Sequence, residues 1–211
     1  MPSVIFWEVD VQADFMLPGG RLYVPGAERL IPNIRRLVEV ARQSKVLLVS
    51  SADAHSTGDP EFRDWPPHCL KGTPGAELLP EACASPRLVI PNQENFVLPE
   101  PLEAYRQVTI EKNTLDVFDN PKTDALLQRL HSSPSFVAPG PLFIVFGVAT
   151  DYCVNCTAAG LLKRGRFPAI VTDAVRAIDE KKGETILNSL QSRGAQLLTT
   201  EAALELVGKS P

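Results

Sequence analysis

Long apolar runs are missing from this chain of 211 residues. The N-terminal apolar stretch extends only from Val4 to Trp7 before Glu8 and Asp10 interrupt it. That is far shorter than a secretory h-region or a membrane span, so a cytoplasmic protein without a membrane partner is expected. A basic excess is missing as well: 21 Lys and Arg face 25 Asp and Glu, a net charge of -4. Nucleic-acid binding needs cations to neutralise phosphates, so nucleic acid is not an expected partner. Cys69, Cys83, Cys153 and Cys156 are too few and too scattered to form a disulfide framework in a chain of this size. Free thiols in a reducing compartment follow. Histidine is scarce, with three in all, which draws attention to the loop that holds two of them.

What is present is the composition of a globular protein, 44% hydrophobic and 22% charged, long enough for one buried core. A single domain over residues 1–211 is expected. Short β-branched runs alternate with segments of helical period, the pattern of βα units feeding a mostly parallel sheet. Predicted strands are Val4 to Val11, Val46 to Ser50, Arg87 to Ile90, Gln107 to Glu111, Leu142 to Phe146, Ala169 to Thr172 and Gln196 to Thr199. Predicted helices are Ala27 to Gln43, Thr123 to Leu130, Asp151 to Lys163, and Lys181 to Arg193 closed by Gly194. The fold class is therefore α/β, a three-layer α/β/α sandwich. Two stretches break the rhythm. His55 to Ser85 carries two histidines and reads as a site; Ser132 to Pro141 reads as an insertion.

Three groups of residues could carry chemistry. Asp10 and Lys112 both stand at the carboxyl ends of strands, where open α/β sheets bind ligands. Strand alternation would put Phe6, Glu8, Asp10 and Gln12 on one face. Read alone, Asp10 could be a loop acceptor and Lys112 a solvated strand end. Cys153 follows an apolar strand at the start of a helix, a placement like the elbow that exposes a nucleophile, and a helix N-terminus favours a thiolate. Its other readings are a small buried residue or one half of a redox pair with Cys156. The third group is Asp53, His55 and His68, one carboxylate and two imidazoles suited to a divalent transition metal.

Five segments, in order along the chain, resemble the isochorismatase-like cysteine hydrolases and within them the nicotinamidase branch. They are Val9 to Phe15, Asp53 to His55, Trp65 to Gly75, Glu111 with Lys112, and Gly147 to Val154. The resemblance implies a catalytic triad of Asp10, Lys112 and Cys153, and a metal held by Asp53, His55 and His68, with zinc first and iron or manganese as alternatives. It implies a non-proline cis peptide at Val148-Ala149, an oxyanion hole from the Ala149 and Cys153 amides, and a substrate ring held between Phe15 and Trp65. Glu61 resembles the acidic metal ligand of some members, with Asp59 or water as alternatives for that place. Glu8 stands where the family has an apolar residue and is assigned to an altered pocket.

The function implied is hydrolysis of nicotinamide to nicotinate and ammonia through a cysteine thioester, by a homo-oligomer whose partner is a small amide. The rivals are a metal-free relative acting on another small amide, a ureido or N-carbamoyl compound or isochorismate, a dithiol redox protein, and a silent binding module on the same fold.

Overall fold

The computed structural model describes residues 4–132 and 140–208. Seven strands form one sheet: β1 (Val4–Val9), β2 (Leu47–Asp53), β3 (Arg87–Ile90), β4 (Gln107–Lys112), β5 (Leu142–Val148), β6 (Phe167–Arg176) and β7 (Gln196–Leu198). Their order is β3-β4-β2-β1-β5-β6-β7 and every pairing is parallel. Parallel neighbours need crossover connections, and helices supply most of them. These are α1 (Ala13–Met16), α2 (Ile31–Arg42), α3 (Thr123–Ser132), α4 (Cys153–Lys163) and α5 (Glu180–Ser192), while α6 (Thr200–Gly208) follows the last strand.

The helices cover both faces of the sheet. Ile34, Leu37, Val38 and Ala41 of α2, with Ala203 and Val207 of α6, pack on one side against Phe6, Leu48 and Ile144. On the other, Leu126 and Leu130 of α3, Val154, Ala158 and Leu161 of α4, and Leu190 of α5 pack against Ile5, Val49, Val108 and Val145. The three-layer α/β/α expectation is met, and the sheet is wholly parallel. The single predicted helix from Ala27 divides into a 3-10 turn (Ala27–Leu30) and α2, with Pro32 in the first turn of α2, where its missing N–H costs nothing. Residues 133–139 of the expected insertion lie outside the described residues. No described helix is long and apolar enough to cross a membrane.

The strand order reverses beside β1: the chain moves outward from β1 to β2, then returns to place β5 on its other edge. A crevice opens at such a reversal, outside the carboxyl ends of the strands. Gly147 lets β1 and β5 close on each other there. It pairs with Val9, takes φ +118°, and a β-carbon on it would run into the Val9 main chain. The Val148-Ala149 peptide that follows is cis.

Candidate active site

Asp10 leaves β1 with φ +51°, a left-handed turn that breaks the strand's alternation. The expected common face for Glu8 and Asp10 is therefore not observed. Glu8 stays on the α2 side of the sheet, fully buried against Ser50 (2.8 Å) and Gln107 (3.4 Å). It does not line the crevice, so its assignment to an altered pocket is corrected. Asp10 turns to the opposite side, where its Oδ1 accepts a hydrogen bond from Ser51 Oγ at 2.6 Å.

Lys112, at the end of β4, is 1% exposed and reaches the same point. Its Nζ lies 2.9 Å from Asp10 Oδ2 and 3.5 Å from Cys153 Sγ, and it also binds Asp53 Oδ1. Burial would strip this ammonium of its proton, but the Asp10 and Asp53 carboxylates outweigh burial and hold its pKa well above the usual lysine range. Burial raises the Asp10 carboxyl and Lys112 only partly opposes this, so Asp10 has an enhanced affinity for a proton. Burial also pushes the Cys153 thiol well above its ordinary range; Lys112 pulls it down while Asp10 and Asp53 push it up. The resting thiol is thus protonated, and the Lys112 ammonium links it to the carboxylate that could take its proton.

Cys153 opens α4, so its amide has no carbonyl behind it within the helix. The flanking amides of Tyr152 and Val154 both donate to the Ala149 carbonyl, at 3.0 and 3.1 Å. Cys156 lies one turn further on. Both thiols are free and both are raised by burial, whereas redox Cys-x-x-Cys pairs work through a lowered thiol pKa.

Asp53 Oδ2 faces two imidazoles, 3.3 Å from His68 Nε2 and 3.6 Å from His55 Nε2. The other ring nitrogens are occupied: His55 Nδ1 meets Asp59 Oδ2 at 3.1 Å and His68 Nδ1 meets the Pro66 carbonyl at 2.8 Å. Such outer partners fix the tautomer and leave each Nε2 as the ligating atom. His55 Nε2 is buried with no hydrogen-bond partner. With Glu61, the candidate ligand atoms of Asp53, His55 and His68 lie within 4.8 Å of one another. Two neutral imidazoles and two carboxylates suit a divalent transition ion, so the residues present fit the group. Asp59, the alternative to Glu61, is bound instead to the far nitrogen of His55. Burial raises the Glu61 carboxyl, and the Asp53 charge adds to the rise.

Asp10, Asp53, Glu61, His68 and Cys153 border one pocket with about 360 Å³ of empty space. Its walls are mostly apolar and include Phe15, Leu22, Val24, Trp65, Val148, Tyr152 and Ile178. The Phe15 ring lies 5.3 Å from that of His68, and the Trp65 ring stands edge-on to Tyr152 at 5.0 Å. Among the described residues no lysine or arginine lines the pocket surface. Sequence reading missed Tyr152, Ile178 and the outer partners of the histidines. Position next to Cys153 was the only available signal, and it applied to Tyr152 alone.

The isochorismatase domain model matches residues 5–93 and 83–202. The nicotinamidase/pyrazinamidase of Mycobacterium tuberculosis is 26% identical over 196 residues, covering 90% of this chain and 95% of that protein. The pyrazinamidase of Pyrococcus horikoshii, solved in complex with zinc, is 28% identical with a TM-score of 0.72, covering 94% of this chain and 99% of that one. The N-carbamoylsarcosine amidase of Thermoplasma acidophilum is 25% identical with a TM-score of 0.71, covering 94% and 96%. A wholly parallel sheet with its crevice at the β1/β5 reversal, matched by the domain model along nearly its full length, means that the chain belongs to the isochorismatase family of hydrolases, where it resembles the nicotinamidase branch.

Proposed function

We propose that the protein hydrolyses nicotinamide to nicotinate and ammonia through a thioester on Cys153. The observation that carries this reading is the convergence of Asp10, Lys112 and Cys153 on one buried point beside the Asp53, His55 and His68 cluster. Asp10 takes the thiol proton as the sulfur lone pair attacks the amide carbon. The carbonyl electron pair moves to oxygen, which the Ala149 and Cys153 amides receive as an oxyanion hole. As the intermediate collapses, the C–N bond breaks and Asp10 protonates the departing nitrogen, releasing ammonia. Water then attacks the thioester carbon while Asp10 takes its proton; the C–S bond breaks and Asp10 returns the proton to sulfur. Lys112 stays charged throughout and stabilises the sulfur anion as it forms.

A divalent ion, zinc first, would be held by Asp53, His55, His68 and Glu61 and would supply a Lewis-acidic anchor for a ring nitrogen. Phe15 and Trp65 would bracket the ring, and the largely apolar wall would exclude bulk water. A neutral heteroaromatic amide suits this pocket because its ring would lie against the apolar wall while its ring nitrogen would face the ion.

The second reading, a relative acting on a ureido or N-carbamoyl compound, draws support from the likeness to N-carbamoylsarcosine amidase. Ammonia release across nicotinamide, pyrazinamide, benzamide and an N-carbamoyl amino acid separates the two. Turnover confined to the N-carbamoyl compound would overturn the nicotinamide reading.

A further inference from the structure

Asp151 is an acid two residues before the proposed nucleophile, 4% exposed, and the steps above make no use of it. Its carboxylate is committed elsewhere. Oδ1 accepts the Ile178 amide at 3.0 Å and Oδ2 accepts the Asp179 amide at 3.1 Å. Beside them the Thr150 amide donates to the Arg176 carbonyl at 2.8 Å. Three hydrogen bonds therefore lace the turn after β5 to the loop after β6.

The second loop continues the linkage. The Asp179 side chain caps α5 by accepting the Lys182 amide at 3.1 Å, and the Lys182 ammonium lies 4.0 Å from the centre of the Tyr152 ring. Tyr152 is the residue after Asp151, so the contacts form a closed circuit. Gly183 lets the circuit close, since a β-carbon there would collide with that of Ala177. Ile178, carried on this loop, is 37% exposed yet lines the pocket, which puts it at the mouth.

We infer that Asp151 is a positioning residue that fixes the Ile178 wall of the pocket relative to the Ala149 to Cys153 turn, and so selects ring-bearing amides over small acyclic ones. This rests on the amidase reading above. A two-carbon amide has no ring to pack against this apolar wall, so its displacement should matter chiefly to the larger substrate. A shift of about 1 Å in such a contact is enough to cost on the order of 10²-fold in rate.

The experiment compares Asp151→Asn, Ile178→Ala and the double variant on nicotinamide and acetamide, with hydrogen exchange followed at the Ile178 and Asp179 amides. Asparagine keeps the shape but turns an N–H₂ toward a backbone N–H, so one of the two bonds is lost. The expected result is a kcat/KM for nicotinamide lowered on the order of 10-fold more than that for acetamide, mostly through KM. Ile178→Ala should show the same selectivity change, and the double variant little more than either single one. Equal losses on both amides in Asp151→Asn, or additive effects of the two substitutions, would assign Asp151 a general structural role and overturn the inference. If wild type hydrolyses neither amide, the amidase reading fails by itself. The anchor is then judged by exchange: faster exchange at Ile178 and Asp179 in Asp151→Asn, at unchanged global stability, supports it, and unchanged exchange overturns it.

Discussion

Asp53 gives one carboxylate oxygen to the Lys112 ammonium and turns the other toward the Nε2 atoms of His55 and His68. Burial would raise this carboxyl, yet the Lys112 ammonium and the two facing imidazoles outweigh it and hold its pKa below the usual carboxylate range. One side chain thus joins the proposed triad to the candidate metal cluster. Asp53→Asn is expected to lower bound metal and kcat together, whereas His68→Ala, which leaves the Lys112 contact alone, should lower metal and chiefly raise KM. Elemental analysis beside steady-state kinetics checks this; a normal kcat in Asp53→Asn would show that the two clusters are independent.

Lys112 is the cation between two buried carboxylates, and removing one partner of a buried ionic cluster leaves charge uncompensated. Lys112→Met is expected to destabilise the protein by about 3 to 5 kcal/mol in urea unfolding and to slow alkylation of Cys153 by iodoacetamide. Cys153→Ala, by contrast, should abolish turnover while leaving the unfolding midpoint and nicotinamide binding nearly unchanged. Wild-type alkylation kinetics in Lys112→Met would remove Lys112 from thiol activation.

Chelation tests the candidate metal site. With the ion removed, Asp10, Lys112 and Cys153 keep their contacts, so the loss should fall on KM for nicotinamide. Benzamide, which has no ring nitrogen to donate, should be affected far less. A metal-free preparation with undiminished affinity for nicotinamide would leave the imidazole pair without the anchoring task.

Much of the fold was legible because parallel strands buried on both faces give continuous apolar runs, such as Leu142 to Val148, and the helices between them keep their period. β2 was underestimated: Ser51 and Asp53 look like a polar strand end, yet the strand continues in register with β4, with Ser51 bound to Asp10 and Asp53 facing Lys112 and the histidines. Asp10, Lys112 and Cys153 stood out as candidates because strand ends and a helix start are readable positions, although only the family resemblance joined them into one proposed triad. The left-handed turn at Asp10 was not, since nothing in Val9-Asp10-Val11 announces a positive φ. The Asp151 anchor was equally hidden: its partners are backbone amides 27 and 28 residues away, and backbone groups carry no sequence signature.

Glu8 supplies a prediction independent of the catalytic chemistry. Burial pushes its pKa from the ordinary 4.5 up to about 8, against the Ser50 hydrogen bond and the Arg42 and Arg87 charges, while Asp10 adds a little to the rise. Its Oε1 is buried with no hydrogen-bond partner, so the neutral acid is the form this environment accepts. Between those two values the folded chain keeps a proton that the unfolded chain has released. The contribution of Glu8 is therefore fully present below the lower value and is lost as pH rises toward the higher one, by roughly 1.4 kcal/mol per pH unit at most. Glu8→Gln mimics the protonated acid and cannot ionise, so it should gain stability relative to wild type as pH rises from about 5 to about 8 and hold a constant advantage beyond. Urea midpoints of the two proteins across that range check the sign. A difference that does not change with pH would mean that Glu8 keeps the same protonation state in the folded and unfolded chains throughout the range.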